Sequence, residues 1–344
     1  MSRRAGLVFA VVLLFALPFG YMAAEGTHDV DPIRTQYRRP VIIPFPDDNP
    51  YTKAKADLGK MLFFDPLLSG SRKHSCSSCH MPANSWSDGR SHAVGEDPAG
   101  VDIRTPTLIH IAFVDVLGWD GKFIDLESVA FGPLTSPQNM NITERELVRR
   151  LSASPRYTAA FAKAFGSKHV TRRRIELALA TYERTIVAGE APFDRWVMGD
   201  DNAISPEAKR GFALFNGKAH CSSCHSGPSF TDGSFQDIGS ATGGDIGRGH
   251  LFPTSEKLQY AFKTPTLRDV ANRGPYMHDG SVATLEDVIE LYNRGGIDRP
   301  SRSPSIRPLS LTAGEKAELI AFLKTLSAPS IEAPSPDLAK QPLN

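Results

Sequence analysis

The pentapeptide Cys-Ser-Ser-Cys-His occurs twice in the chain and uses all four of its cysteines. Two cysteines three positions apart, followed directly by a histidine, form the attachment site of a c-type haem. The thiols bind the porphyrin edge, and the histidine becomes the proximal ligand of the iron. A four-cysteine zinc site or two disulfides could use the cysteines, but neither gives the histidines a role. The motifs predict two covalently bound haems, held by Cys76, Cys79, His80, Cys221, Cys224 and His225.

Composition and charge narrow the class of function. The chain has 344 residues, of which 22% are charged, and its formal net charge is +1. This near-neutral balance argues against nucleic acid or an acidic membrane surface as the main partner. At the start, Arg3 and Arg4 precede an apolar run over residues 6–20, as in a secretory signal peptide. We therefore expect export to the periplasm, with an uncleaved N-terminal membrane anchor as the alternative.

Helices are predicted to position both motifs, because apolar residues recur at helical spacing and no period-2 series predicts a sheet. The Gly132-Pro133 pair is expected to end one helical segment, and residues 191–202 are interpreted as a linker. A capping box is predicted from Thr143 to Glu146. Further helices are predicted to begin near Lys53, Ser205, Thr284 and Thr312, and one is predicted from the spacing of Ile175, Ala178, Leu179, Tyr182 and Ile186.

An internal repeat organises the chain. The run Thr-Pro-Thr-Leu stands at residues 105–108 and again at residues 264–267, and further matches follow at the same offset. A glycine before each haem motif, Gly59 and Gly211, repeats as well. The predicted fold is therefore mostly α, with two cytochrome-c-like haem domains in tandem. The predicted divisions are a signal peptide over 1–24, an extended segment over 25–50, haem domains over 51–200 and 201–330, and a loose tail over 331–344.

The two copies differ where a second iron ligand could stand. The helix starting at Thr284 presents Tyr292, whereas the repeat offset puts Pro133 at the equivalent place in the first copy. Proline has no side-chain donor, so the first iron is expected to be open and able to bind peroxide. Met277 and His278 are alternative ligands for the second haem. Residues that could close the first are His92, His110 and Met140.

These residues resemble the bacterial dihaem cytochrome c peroxidase family, and more closely its MauG-like branch. Besides the two haem motifs, the resemblance includes Trp-Asp-Gly-Lys at 119–122, Gly-Pro-Leu at 132–134 and Pro-Tyr-Met-His-Asp-Gly at 275–280. It implies that Tyr292 ligates the second iron and that Trp119 relays charge between the haems. The repeat offset places His278 at the position in the second copy that corresponds to Trp119.

The sequence departs from the family pattern at three places, and the third is Ala219, two residues before Cys221, where the MauG-like branch has a surface tryptophan at its partner contact. The family's distal glutamate before Met140 is replaced by Asn139, which follows Gln138. An amide orients peroxide but cannot transfer its proton, so Glu127, Asp125 or a water would supply it. The family's calcium ligands correspond to Arg104 and Arg273, and guanidinium groups do not bind calcium. A bound calcium ion is therefore doubtful.

The resemblance implies a periplasmic dihaem oxidoreductase that reacts with hydrogen peroxide at the N-terminal haem and oxidises a redox or substrate protein partner. One alternative is a cytochrome c peroxidase that receives electrons from a small cytochrome or cupredoxin. An alternative of another class is a non-catalytic dihaem electron carrier, with the first iron closed by His92 or Met140.

Overall fold

The computed structural model describes residues 31–97, 99–332 and Asp337, so the predicted signal peptide over 1–24 lies outside the described residues. None of the helices in the described part is long and apolar enough to cross a membrane. The expectation of a mostly helical chain is confirmed. The helices are α1 (Pro32–Thr35), α2 (Lys53–Phe63), α3 (Leu126–Val129), α4 (Phe131–Thr135), α5 (Glu144–Ser152), α6 (Pro155–Phe165), α7 (Arg172–Arg184), α8 (Pro192–Val197), α9 (Pro206–Asn216), α10 (Leu285–Arg294) and α11 (Ala313–Lys324).

Sheet structure within the described residues is limited to short pairs and isolated bridges. Strand β1 (Ile186–Ala188) pairs antiparallel with β4 (Ser330–Glu332). Strand β2 (Phe235–Gln236) pairs antiparallel with β3 (Phe262–Lys263). The predicted loose tail over 331–344 is therefore wrong for its first two residues, because residues 331 and 332 belong to β4.

Side-chain caps start the helices that lead to and from the haem motifs. Ser205 accepts a hydrogen bond from the third residue of α9, and Thr284 does the same for α10. Thr312 begins α11 with a complete capping box. The box predicted at residues 143–146 is only half formed. Thr143 caps α5, but the Glu146 carboxylate accepts from two arginines of its own helix instead.

Two predicted breaks in the chain are helical. The Gly132-Pro133 pair lies inside α4, in the first turn, where the missing proline amide has no intrahelical partner to lose. The predicted linker over 191–202 contains α8, which buries Phe193 and Trp196 in the second of two hydrophobic clusters. Packing therefore changes from the first cluster to the second near residue 190, ten residues before the predicted domain boundary.

Each half has its own hydrophobic cluster, and a glycine brings two helices of that cluster together. In the first half α2 packs on α7, and a Cβ atom at Gly59 would collide with the carbonyl group of Ala178. In the second half α9 packs on α11, and a Cβ atom at Gly211 would collide with the carbonyl group of Glu318. The repeated glycines thus allow the helix before each haem motif to cross closely over the last helix of its half.

The two ends of the described chain pack on opposite halves. The N-terminal segment, predicted to be extended over 25–50, contains α1 and inserts Tyr37 among the aromatic side chains of the second cluster, stacked on Phe230. At the other end, β4 returns to the first half. There Ser330 accepts a hydrogen bond from the indole of Trp86, and Glu332 accepts one from Tyr182. We call these two segments the exchanged ends.

Two hydrogen bonds link the halves reciprocally. His110 of the first half and Asp269 of the second stand at the repeat offset of 159 and share a left-handed backbone, with φ of 61° and 57°. The imidazole of His110 pairs with the hydroxyl of Ser229, and the carboxylate of Asp269 accepts from the hydroxyl of Ser85. Both serines belong to the loop that follows the other half's haem motif.

Candidate active site

The two haem motifs adopt the same backbone conformation. Short 3-10 turns span Cys76–Ser78 and Cys221–Ser223. In each turn the carbonyl group of the first cysteine accepts from the amide of the histidine, at 2.9 Å in both copies. It also accepts from the amide of the second cysteine, at 3.2 Å and 3.3 Å. Five residues thus bring two thiols and one imidazole to one place in each half.

Hydrogen bonds fix the tautomer of both motif histidines. Nδ1 of His80 lies 3.2 Å from the carbonyl oxygen of Trp86, and Nδ1 of His225 lies 2.9 Å from that of Phe230. Because a carbonyl group only accepts, Nδ1 carries the proton and Nε2 keeps the lone pair that binds iron. Burial lowers the pKa of both imidazoles, which keeps them neutral. This is the arrangement that a proximal haem ligand requires.

The repeated Thr-Pro-Thr runs hold the loops that carry those carbonyl groups. Thr107 donates to the carbonyl oxygen of Ser85, and Thr266 donates to that of Ser229, both at 2.6 Å. The sequence showed the repeat but not its purpose. The threonines position the loop after each motif, and through that loop they orient the proximal histidine.

The four thiols are free and half-buried. Burial raises the pKa of Cys76, and it raises that of Cys221 to about 12. Within the described residues, no group of three or more histidine, cysteine or acidic side chains could hold a metal ion. The thiols therefore remain available to a porphyrin, and the four-cysteine zinc arrangement is not formed.

A large cavity beside the second motif collects the residues predicted for the C-terminal haem. Its lining includes Cys221, Cys224, His225 and Tyr292, the last supplied by α10. The pKa of the Tyr292 phenol is raised, first by burial and then by the two neighbouring cysteines. The structure thus brings Tyr292 and the second haem motif into one cavity.

Trp119 and His278 line this cavity too, and both form a hydrogen bond with the backbone of Arg104. The indole of Trp119 donates to the carbonyl oxygen of Arg104 at 2.8 Å, and the amide of Arg104 donates to the carbonyl oxygen of His278 at 2.8 Å. The His278 ring stacks on Phe262, and its Nε2 is 2.7 Å from a carboxylate oxygen of Asp245. The Asp245 contact occupies the nitrogen that would ligate iron, so the structure does not favour His278 as a ligand.

The charge of the cavity suits a haem, which carries two carboxylates. Four cationic side chains, Arg104, Lys263, Arg273 and Arg307, are among the described lining residues, and no acidic side chain is. Burial lowers the pKa of Lys263 to about 8. An anionic group entering the cavity would compensate charges that the protein leaves unpaired. The thiol pair, the oriented imidazole and the cationic lining therefore fit a c-type haem.

Near the first motif, the segment with Gln138 and Asn139 lies against the loop over residues 94–97. The amide of Glu96 donates to the carbonyl oxygen of Asn139 at 2.7 Å, and the thiol of Cys79 approaches the carbonyl oxygen of Val94. Gln138 is exposed and Asn139 half-buried. The 94–97 loop thus connects Cys79 to the two amide residues predicted at this haem.

Comparison with known proteins identifies the family. The family model described as di-haem cytochrome c peroxidase matches residues 53–202. The methylamine utilization protein MauG of Methylorubrum extorquens is 47% identical over 308 residues, covering 89% of this chain and 87% of that protein. The chain belongs to the di-haem cytochrome c peroxidase family. Cytochrome c551 peroxidase of Nitrosomonas europaea is 35% identical over 276 residues, 79% of each chain.

A solved structure supports the same assignment. A MauG-like protein associated with microbial copper homeostasis matches with a TM-score of 0.78 at 30% identity, covering 84% of this chain and 94% of that one. The predicted family is thereby confirmed, and membership implies two c-type haems. The protein is a dihaem peroxidase-type oxidoreductase, as predicted.

Other residues predicted for the site of this di-haem peroxidase lie in structural contacts. Glu127 is buried and accepts two hydrogen bonds from Arg184, at 2.6 Å and 2.9 Å, and one from Asn49. Burial acts to raise the pKa of Glu127, but these donors outweigh it and the net shift is downward. A carboxylate held ionised by an arginine is a poor proton donor. Asp125 caps α3 through the amide of Ser128.

The three alternative ligands considered for the first haem of this di-haem peroxidase lie in different surroundings, and Nε2 of His110 has no hydrogen-bond partner among the described residues. His110 is buried with its Nδ1 hydrogen-bonded to the hydroxyl of Ser229, and burial lowers the pKa of its imidazole well below the ordinary value. His92 is exposed, with Nδ1 next to the hydroxyl of Ser91. Met140 is buried in the first hydrophobic cluster, which Cys76 also contacts.

Proposed function

We propose that this di-haem peroxidase takes hydrogen peroxide at an open N-terminal haem, shares the oxidising equivalents with a Tyr292-ligated C-terminal haem, and oxidises a partner protein. The proposal includes two cytochrome-c-like domains in tandem and a periplasmic location. When bound, the two haems supply peroxide reduction and storage of oxidising equivalents. The residues of this chain decide which iron stays open, how peroxide is oriented and how charge passes between the haems.

The observation that carries the proposal is the asymmetry between Tyr292 and Pro133. Tyr292 shares a cavity with the second haem motif, and its anionic form is a hard ligand that favours the oxidised state of iron. Pro133, its counterpart in the repeat, is exposed in α4 and has no side-chain donor. This difference supports one haem that reacts and one that holds an oxidising equivalent.

Two groups would assist the reaction from fixed positions. Trp119 is buried, its indole is tied to the backbone of Arg104, and it lines the cavity of the second haem, which supports a role as relay. Asn139 and Gln138 would orient peroxide through their amides. Since Glu127 is held by Arg184, we assign the proton needed for O–O cleavage to a water.

The ferric protein provides the first test. We expect one high-spin haem that binds cyanide and one low-spin haem. In the variant Tyr292→Met, a soft thioether should replace the phenolate, so the second haem should become easier to reduce and should lose its peroxide-induced absorbance change. Tyr276→Phe is the control, because Tyr276 lines the same cavity but donates to the Val270 carbonyl group. Trp119→Phe should keep both haems and slow the change at the second.

The same measurements separate the rivals. Two low-spin haems that do not bind cyanide would indicate an electron carrier and contradict the proposal. Rapid peroxide-driven turnover with a reduced small cytochrome or cupredoxin would favour an ordinary cytochrome c peroxidase over a protein-oxidising enzyme. If reduction and the peroxide-induced absorbance of the second haem are unchanged in Tyr292→Met, Tyr292 is not its ligand.

A further inference from the structure

Two arginines meet inside the cavity of the second haem. Arg104 and Arg273 come from opposite halves of the chain and are 5% and 6% exposed. The guanidinium group of Arg104 donates to the carbonyl oxygen of Arg273, and that of Arg273 donates to the carbonyl oxygen of Thr266 at 2.5 Å. Both line the cavity that holds the second haem motif.

This pair has no acidic partner in direct contact. Among the described residues, no carboxylate forms an ion pair with either guanidinium, and each has a buried Nε atom without an acceptor. Asp88 and Asp269 act on the pair only at longer range, since other polar groups hold each of them. Buried charges are ordinarily paired, so the pair indicates an anion that the protein itself does not supply.

We propose that Arg104 and Arg273 together bind a propionate of the C-terminal haem. The haem that the second motif would hold carries two carboxylates, and the two guanidinium groups provide the planar donors that suit a carboxylate. Lys263 adds a third buried cation to the same lining. The inference rests on the haem alone and holds whether or not the proposed partner oxidation does.

The pair would also couple the haem edge to the predicted relay. The carbonyl oxygen of Arg104 accepts a hydrogen bond from the indole of Trp119, and the amide of Arg104 donates to the carbonyl oxygen of His278. A propionate held by the Arg104 side chain is thus fixed relative to Trp119 through a single residue. The fixed positive charge next to the haem favours the ferrous state, opposite to the effect of the Tyr292 phenolate.

Reduction potentials test the assignment. In Arg104→Gln and Arg273→Gln, loss of a cation should shift the redox equilibrium of the C-terminal haem towards ferric iron at least tenfold, which is 59 mV for one electron. Arg307→Gln is the control, because Arg307 lines the same cavity but is exposed and bound to His220. It should shift the equilibrium less than threefold. Arg273→Lys, which keeps the charge, should recover most of the effect.

Each variant is measured only after pyridine haemochrome absorbance shows two haems per chain. Shifts no larger than the control in such protein would overturn the proposal. A crystal structure of the wild-type holoprotein gives the independent test, which applies even if the glutamine variants fail to fold. We expect propionate oxygens about 3 Å from guanidinium nitrogens of both arginines. Propionates beyond ion-pair distance of both arginines would overturn the assignment.

Discussion

Burial of charge follows two opposite patterns in this protein. Glu127 and Arg184 form a complete pair, with both carboxylate oxygens bonded and both side chains nearly inaccessible. Arg104 and Arg273 are equally buried without a carboxylate in contact. The first pattern needs nothing further to be stable, whereas the second is completed by a cofactor. Partnered and unpartnered buried charges thus separate a structural site from a binding site.

The Glu127 pair should make stability depend on pH. Because the pKa of Glu127 is lowered in the folded protein, the pair stabilises the protein fully above the ordinary carboxyl range and loses that contribution as pH falls through the lowered pKa. Glu127→Gln leaves Arg184 buried and unpaired, which should cost about 3 kcal/mol at pH 7. Urea unfolding at pH 7 and at acidic pH measures this. The gap between wild type and variant should narrow in acid.

Glu146→Gln serves as the control for that measurement. The partly exposed Glu146 pairs with two arginines on α5, the exposed Arg149 and the largely buried Arg150. Water screens the pair with Arg149, and Arg150 keeps its hydrogen bonds to the carbonyl oxygens of Leu67 and Ser69, so this variant should unfold close to the wild type. A Glu127→Gln variant as stable as the Glu146 control would show that the buried pair does not stabilise the fold.

At the scale of elements, two helix crossings repeat. The pairs α2–α7 and α9–α11 each bring a glycine against the backbone of the facing helix. The helix before each haem motif therefore lies closer to its partner than side chains would allow. That distance sets where the following 3-10 turn, and with it the thiols and imidazole, emerges from the core.

Alanine at either glycine should separate the helices. Gly59→Ala and Gly211→Ala should each lower the free energy of unfolding by about 1–3 kcal/mol, because the added methyl collides with backbone that cannot move alone. Gly314→Ala is the matched control, since Gly314 lies in α11 and a Cβ atom there would meet only the hydroxyl oxygen of Thr312, at 4.0 Å. It should be neutral or stabilising by up to about 1 kcal/mol. Equal effects at all three positions would contradict the close crossing.

The sequence predicted the elements that carry local signals. The caps at Ser205 and Thr312 and the periodicity of α7 mark real helices, because each signal acts within one or two turns. Helix α8 was missed because it is short and because its stability depends on burying Phe193 and Trp196 against residues that are distant in sequence. Strand β4 was missed for the same reason. Its partner lies far away in sequence, and a pairing of that kind leaves no local pattern.

The site residues also divide into those with a local sequence signal and those that depend on tertiary packing. The spacing of cysteine and histidine predicts the proximal ligands, the repeat distinguishes Tyr292 from Pro133, and the family resemblance implies the role of Trp119. The cavity brings both to the second motif. The carbonyl partners of the histidines, the threonine contacts and the contact between the arginines depend on tertiary packing. Glu127 looked like a proton donor because sequence does not reveal that Arg184, 57 positions away, holds it.

At the scale of the whole molecule, the exchanged ends join the halves. Removing β4 with a chain that stops after residue 329 should leave the indole of Trp86 and the phenol of Tyr182 without their partners. We expect the first half to lose about 1–3 kcal/mol for each buried group left unpaired. Hydrogen exchange should become faster in α2 and α7 and remain slow in α9 and α11.

A chain that stops after Asp337 is the control, because it keeps every described contact of β4. It should exchange like the full-length protein. Faster exchange spread evenly over both halves would show that β4 does not act on the first half specifically. Unchanged exchange in α2 would show that the strand pairing contributes nothing to its stability.

The reciprocal hydrogen bonds between His110 and Ser229 and between Asp269 and Ser85 couple the structural integrity of the two haem sites. Each bond ends on the loop beneath one proximal imidazole but begins in the opposite half. We therefore expect loosening of either half to disturb the loops after both haem motifs. We expect a partly unfolded molecule to lose both haem sites, so that no single reactive haem would consume oxidant without a second haem to receive the equivalents.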